Sequence, residues 1–446
     1  MMILLTYGVG VNEFESLLKP SLENDVASLS EVLRDISGRE LLRFSLSRIL
    51  LAVGELYTAL RVLTFLTGIY EGGLANIRGE YMSDDPTVMD VDTASVPQIR
   101  DVSEGVFIAW RRLSRRTSFL SRELGLELFY VPDRPPYLKA VWRTLTFLRS
   151  RKPGVVFTQL PQGPLLAEVA VISRRVGFKV VADVHTGFIY PTSLKEYILN
   201  KPFHTYLHKV DLVLAHNKLQ ASLIREKANI SSEKIMIVYD PIPQIPQNTK
   251  APKLNNVDIS KSIVLPASWA LDEPLDFIVA EFLESNIASD HTLIITGNWR
   301  RNKKLYRKLT ELLEKKGARN KIALTGYVQD DEYYHILKSC KAVIAVSKRE
   351  YTLPHALWEA IAVEKPFITL ETETMITEVG RDYPCFFTMS SGSLRKTLEA
   401  CLDERYLDAR EAARSKAAEL KLRSRNTIES LRKTLTEMQI STTLKN

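Results

Sequence analysis

The sequence predicts two doubly wound, Rossmann-like α/β domains facing a central cleft, preceded by a mostly helical N-terminal extension. Three observations carry this. From residue 104 onward, short apolar runs alternate with segments of helical spacing; a proline-rich break interrupts the alternation near residue 245; the alternation then restarts. The runs are continuously apolar rather than alternating in and out, as strands covered on both faces require.

The first half reads "GVFIAW" (105–110), "LELFYV" (126–131), "GVVFTQ" (154–159), "KVVADV" (179–184), "VDLVLAHN" (210–217) and "KIMIVYD" (234–240) as strands, with helical segments between. Pro241, Pro243, Pro246 and Pro252 mark 240–256 as a linker. The second half reads "SIVLPAS" (262–268), "HTLIITG" (291–297), "KIALTGYV" (321–328), "KAVIAVS" (341–347), "PFITLE" (366–371) and "CFFTM" (385–389) as strands. Expected boundaries are an extension over 1–103, a first Rossmann-like domain over 104–245, a second over 258–410, and a C-terminal helical tail over 411–446.

Composition is that of a globular protein, with 45% apolar and 25% charged residues. Charge is uneven: residues 1–103 carry a net −7 and the remainder a net +14. A basic body favours anionic partners such as phosphates or an acidic membrane face, or serves solubility alone. Nucleic acid is not expected, since no aromatic-studded basic sheet or known nucleic-acid module is present. Cys340, Cys385 and Cys401 lack paired or metal-like spacing, so a reducing compartment without a disulfide framework is expected. The most apolar window, 46–70, is interrupted by Arg48, Glu55 and Arg61 and does not read as a membrane span; no signal peptide is visible. An amphipathic 44–66 helix could instead lie on a membrane or a partner, or the extension could be a loosely docked appendage.

The stretch "SKREYTLPHALWEAIAVEKPFITL" (347–370) carries the strongest signal. Ser347, the run Leu353-Pro354-His355-Ala356-Leu357-Trp358-Glu359-Ala360, then Ala362 and Pro366, resemble the nucleotide-sugar signature of GT-B glycosyltransferases of the group 1 type. "LTGYVQDDEYYHILKSCKAVIAVS" before it and "TETMITEVGRD" after it are similar to the flanking segments of that family, and the likeness extends over roughly residues 104–415. The resemblance implies donor contacts from Gly326, Tyr327, Val328, Leu353, Pro354 and Glu359, and a contact of Glu350 with the donor sugar. It implies a nucleotide diphosphate sugar as co-substrate, a hexosyl transfer, no cofactor and no metal. One departure stands out: the family's common retaining pattern separates its two glutamates by seven residues, whereas eight separate Glu350 from Glu359. Retention or inversion therefore stays open.

The residues support this independently. A helix N-terminus offers unpaired N–H groups and a positive dipole end, which suits a diphosphate, and Leu353-Pro354 stiffens the entry. Glu359, about one turn further along, can accept hydrogen bonds from ribose hydroxyls. "TGNWRRNKK" (296–304) places Asn298 and Arg300 just after a strand, where they could meet phosphate charge or simply face water; the loop "SWALDEPLD" (268–276) offers no cation. In the first half, "ADVHTGF" places Asp183 and His185 at a strand's end, suited to orienting or deprotonating an acceptor hydroxyl. "WRRLSRRT" (110–117) gathers Arg111, Arg112, Arg115 and Arg116 at a helix start, where cations oppose the helix dipole and call for another anion, such as an acceptor phosphate. "HTYLH" (204–208) has ligand-like spacing without the glutamate of zinc peptidases and reads as surface or core.

The expected function is transfer of a sugar to an acceptor hydroxyl, on a lipid-linked or other glycan intermediate, in the cytoplasm or peripherally at the cytoplasmic membrane face. The alternative is a non-catalytic nucleotide-sugar-binding or scaffold protein.

Overall fold

The computed structural model describes residues 105–134, 137–192, 194–254 and 257–443. The extension over 1–103, with its 44–66 segment, lies outside these residues. In chain order the first lobe contains β1 (Gly105–Trp110), α1 (Arg115–Leu124), β2 (Glu127–Val131), α2 (Leu138–Arg151), β3 (Val155–Gln159), α3 (Gly163–Val176), β4 (Lys179–Asp183), α4 (Thr186–Ile189), α5 (Leu194–Asn200), β5 (Leu212–Ala215), α6 (Lys218–Ala228) and β6 (Ile235–Ile237). The second contains β7 (Ser262–Leu265), α7 (Leu275–Glu284), β8 (Thr292–Thr296), α8 (Lys303–Lys315), β9 (Ile322–Gly326), α9 (Asp330–Ser339), β10 (Ala342–Ala345), α10 (His355–Val363), β11 (Phe367–Leu370), α11 (Glu373–Val379), β12 (Phe386–Phe387), α12 (Ser393–Glu399) and α13 (Tyr406–Thr443).

Each lobe holds a six-stranded, all-parallel sheet, ordered β2-β1-β3-β4-β5-β6 and β12-β11-β10-β7-β8-β9. Every apolar run read as a strand is one. β1, β3, β5, β7, β10 and β11 are buried along their whole length, which accounts for their lack of alternation. Strand order reverses between β1 and β3 in the first sheet and between β7 and β10 in the second. At such switch points the loops leaving neighbouring strands part in opposite directions and open a crevice at the carboxyl ends.

Local signals close the helices as expected. Ser114 caps α1 by accepting from the Thr117 N–H, and Gly125 ends it at φ 66°. After β8 the chain turns at Gly297, with φ +91°; a Cβ there would stand 1.8 Å from the Ala267 carbonyl oxygen, so only glycine fits.

Two expectations are corrected. Cys385 and Cys401, 16 residues apart, form a disulfide joining the start of β12 to the segment after α12; their proximity arises from packing and left no trace in the spacing. The C-terminal helix is also no free tail. Its first part packs in the second lobe's core through Ala409, Ala413, Ala417 and Leu420, and its last part in the first lobe's core. There Ile428, Leu431 and Leu435 join Phe107, Leu120, Leu124 and Phe157. Leu431→Ala should therefore lower stability by about 2–5 kcal/mol in chemical denaturation, as for a leucine inside a domain core.

Candidate active site

The first lobe presents a floor of buried charge at the carboxyl ends of its strands. Arg116, 2% exposed, donates from Nε to Asp183 Oδ1 at 3.0 Å and Oδ2 at 3.2 Å, and from Nη1 to Asp240 Oδ1 at 3.1 Å. The loop before it is fixed by Gln159 at the end of β3, whose Oε1 accepts from Ser114 N and Thr117 Oγ1 while Nε2 donates to the Arg112 carbonyl. His216 bridges the two carboxylates, with Nε2 3.6 Å from Asp183 and Nδ1 3.4 Å from Asp240. His185 packs edge-on against His216, its Nε2 3.5 Å from Asp183.

The electrostatics follow from this packing. Burial opposes charge on Asp183, but the Arg116 guanidinium and the two histidines outweigh it and hold the carboxyl well below the usual range. Asp240 behaves alike, burial being outweighed by His216 and Arg116. Burial first, and then the charge of Arg116, push His216 down against the pull of the two carboxylates, so that its neutral form is favoured.

The second lobe offers a helix tip. Ser347, at the end of β10, donates to Asp272 Oδ2 at 2.6 Å and so ties the loops leaving β7 and β10. Beyond it the chain enters α10 through Pro354, which caps the helix without a side-chain hydrogen bond. The Glu359 carboxylate is buried, with Tyr333 donating to Oε2 at 2.5 Å and Arg115 of the first lobe to Oε1 at 3.3 Å. Burial raises its pKa, although Tyr333 and Arg115 counter the shift. Glu350 points elsewhere: it accepts from the N–H groups of Glu373 and Thr374 and from Thr374 Oγ1, capping α11.

The two lobes meet at these residues. Thr186 Oγ1 and Asn217 Nδ2 donate to the Tyr351 carbonyl at 3.0 and 2.9 Å, and Arg349 reaches Thr192 at 2.5 Å. Asp183 and His185 therefore stand across a common crevice from the loop that leads into α10.

The family model "Glycosyl transferases group 1" matches residues 279–419, a stretch that includes the helix tip and Glu359. This stretch is similar to the domain that defines group 1 glycosyltransferases. As a fold, the chain is similar to HepE of Anabaena solved with UDP, at 12% identity and TM-score 0.57, covering 75% of this chain and 100% of that one. It is likewise similar to sucrose-phosphate synthase of Thermosynechococcus elongatus, at 12% identity and TM-score 0.57, covering 77% and 99%. A glycosyltransferase of Rickettsia africae gives 13% identity and TM-score 0.54, covering 75% and 98%. The two Rossmann-like lobes are those of GT-B structures. No curated protein matches the chain in sequence.

Within the matched stretch, Leu353 is buried and Pro354 half-buried at the helix entry, while Gly326 ends β9 at φ +72° with Val328 half-buried and Tyr327 70% exposed beyond it. Asn298 caps its own turn by accepting from the Arg300 N–H, and the Arg300 guanidinium lies 5.7 Å from the Trp299 ring centroid. The loop after β7, without a cation in sequence, is filled by buried Trp269, whose Nε1 donates to the Thr296 carbonyl at 3.2 Å.

The four arginines expected to bind an acceptor part company: Arg111 and Arg112 are exposed, Arg115 reaches Glu359, and Arg116 is not available because both carboxylates bury it. Sequence reasoning missed Asp240, His216, Asn217 and Tyr333. The first three follow strands β6 and β5, a position that could have singled them out; nothing marked Tyr333. His204 is structural, with Nε2 2.8 Å from the Phe188 carbonyl and burial pushing its pKa down to about 4.

Asp183, His185 and His216 place potential ligand atoms within 4.8 Å of one another. They do not fit a cation, because both Asp183 oxygens are engaged by the Arg116 guanidinium, itself a positive charge in the same space. Removing the carboxylate leaves that guanidinium partly unpaired in a buried site, so Asp183→Asn should cost about 3–5 kcal/mol in denaturation experiments. Since the folded pKa of Asp183 lies below its unfolded value, this contribution is present above about pH 4 and is lost as pH falls through the folded value. The wild type and the variant should therefore converge in stability under strong acid.

Proposed function

We propose that this protein transfers a hexosyl group from a nucleoside diphosphate sugar to an acceptor hydroxyl. The observation that carries the reading is Glu359: a buried carboxylate one turn inside an uncapped helix tip, within the matched stretch and facing the opposite lobe. The tip's N–H groups suit the diphosphate. Each carboxylate oxygen accepts more than one hydrogen bond, so Tyr333 can keep Glu359 oriented while ribose hydroxyls bind. The structures of HepE with UDP and with UDP-glucose make uridine nucleotides the first donors to try.

His185, half-exposed and oriented by Asp183, takes the acceptor proton in this reading. Negative charge on the leaving diphosphate is met by backbone amides and arginine, and transfer is metal-independent. The acceptor is a lipid-linked or other glycan intermediate, with Arg111 and Arg112 on the same face for its phosphate. Leu138 and Trp142, 48% and 45% exposed on α2 beside exposed Lys139 and Arg149, support a peripheral position on an anionic cytoplasmic membrane face. Among the described residues no helix is long and apolar enough to cross a membrane. Glu350 contacts the donor sugar only if it leaves α11; its present role as a cap favours, as the second reading, a nucleotide-sugar-binding protein without catalysis.

Calorimetry with UDP-, GDP- and ADP-linked sugars, paired with product analysis, separates the two. Glu359→Ala should weaken donor binding about 10- to 100-fold, the worth of hydrogen bonds to a charged group. His185→Ala should retain donor affinity and lose about 10²- to 10⁴-fold in turnover, the usual contribution of a general base. Donor binding by the wild type without any transfer across an acceptor panel would favour the binding protein instead. Because burial raises the pKa of Glu359, donor affinity should fall on acidification sooner than for an ordinary glutamate, and Glu359→Gln should lack that dependence.

A further inference from the structure

Three facts meet at Arg115. The second lobe's arginines near the helix tip are otherwise engaged: the loop after β7 holds Trp269, Arg300 lies over Trp299, and Arg349 donates to Thr192 and Glu196, which leaves exposed Lys348 and His355 beside the tip. Arg115 stands at the first position of α1, where its charge opposes the helix dipole and the charge of Arg116 beside it, so the helix itself gains nothing from a cation there. Its backbone is nevertheless fixed, since Gln159 clamps the loop at Ser114 and Thr117, while its side chain is 69% exposed and extends across the crevice to Glu359.

The pair it makes there is unequal. Glu359 is 7% exposed and held by Tyr333, whereas Arg115 is mostly in water and contributes one contact at 3.3 Å. With its guanidinium largely in water and a single long contact, the pair is open to exchange. Arg115 also stands on Oε1, the carboxylate oxygen that Tyr333 does not hold, and so competes there with a ribose hydroxyl. Glu359 lies about one turn, roughly 5–6 Å, beyond the tip of α10, so a guanidinium released from it needs to swing only that far to meet phosphate oxygens at the tip.

We propose that Arg115 is the diphosphate-binding cation of this site, supplied by the opposite lobe and parked on Glu359 until a donor displaces it. The inference rests on the donor reading of Glu359 given above. It moves Arg115 from the acceptor side to the donor side and makes one guanidinium both a competitor of the ribose and a ligand of the phosphates. Charge balance is kept throughout: the carboxylate exchanges a cation for neutral hydroxyls as the cation acquires the diphosphate.

The two roles have opposite signs, which makes them separable. Binding of UDP, GDP and ADP, and of uridine, guanosine and adenosine, is measured by calorimetry for the wild type, Arg115→Ala, Arg115→Lys and Glu359→Ala, with melting curves to confirm folding. For the diphosphate that the wild type binds, Arg115→Ala should weaken affinity about 10-fold, as loss of a charge-assisted contact does, and Arg115→Lys should restore part of it. The matching nucleoside, which has no phosphate to gain, should bind Arg115→Ala as well as the wild type or a few-fold more tightly. Unchanged diphosphate affinity in Arg115→Ala, or equal weakening of nucleoside and diphosphate, overturns the role of Arg115 while leaving the donor site standing. Failure of all three diphosphates to bind the wild type, or full affinity in Glu359→Ala, overturns the donor reading and this inference together.

Discussion

A guanidinium enclosed by two carboxylates organises the first lobe. Arg116 comes from the helix after β1, Asp183 ends β4, and Asp240 follows β6, so a single side chain fixes elements from across the sheet. Asp240 also opens the linker between the lobes, and its carbonyl accepts from Ser424 of the last helix at 3.4 Å. Burying these charges is costly unless each is paired, and removing any one partner leaves another exposed to that cost. The cluster therefore acts as one unit. It places His185 and His216 at the crevice, and it fixes the helix start that carries Arg115, the adjacent residue, which reaches Glu359.

A second buried carboxylate performs the same service between the lobes. Glu378, 2% exposed, accepts from the Lys218 N–H of the first lobe at 2.8 Å, from Tyr239 at 2.9 Å and from Arg423 of the last helix at 3.0 Å. It lies in the segment "TETMITEVGRD", near the end of α11, and joins first lobe, linker and C-terminal helix at one point. Its neighbour Tyr239 is pushed out of its ordinary range by burial and by Glu378, and so stays a hydrogen-bond donor.

How much of this was legible follows from what periodicity records. The strands could be read because each is an apolar run, unbroken most clearly in β1, β3, β5, β7, β10 and β11, which are buried along their whole length. The helix tip before Glu359 was legible because a proline at a helix start and a carboxylate one turn later form a local pattern. What could not be read is pairing at a distance. Arg116 and Asp183 are separated by 67 residues, Arg116 and Asp240 by 124, and Arg115 and Glu359 by 244, and no spacing rule connects them. Four arginines in one short segment look alike in sequence; the fold buries one, turns one across the crevice and leaves two in water. Glu350 failed to declare itself for the same reason, since its partners at the start of α11 are 23 and 24 residues away. The disulfide and the returning C-terminal helix are further products of packing between distant segments.

The strength of these contacts is distributed unevenly around the crevice. On the linker side the lobes are joined by buried Glu378 with Lys218 and Tyr239, and by apolar packing of Ile428, Leu431 and Leu435. On the crevice side they are joined by Arg115 with Glu359 and Arg349 with Glu196, pairs whose arginines are 69% and 30% exposed. Water and salt weaken the second set far more than the first. A ligand entering the crevice therefore competes with the weaker contacts and leaves the stronger ones intact. The contacts that a ligand in the crevice would replace are thus Arg115 with Glu359 and Arg349 with Glu196, not the buried ones on the linker side.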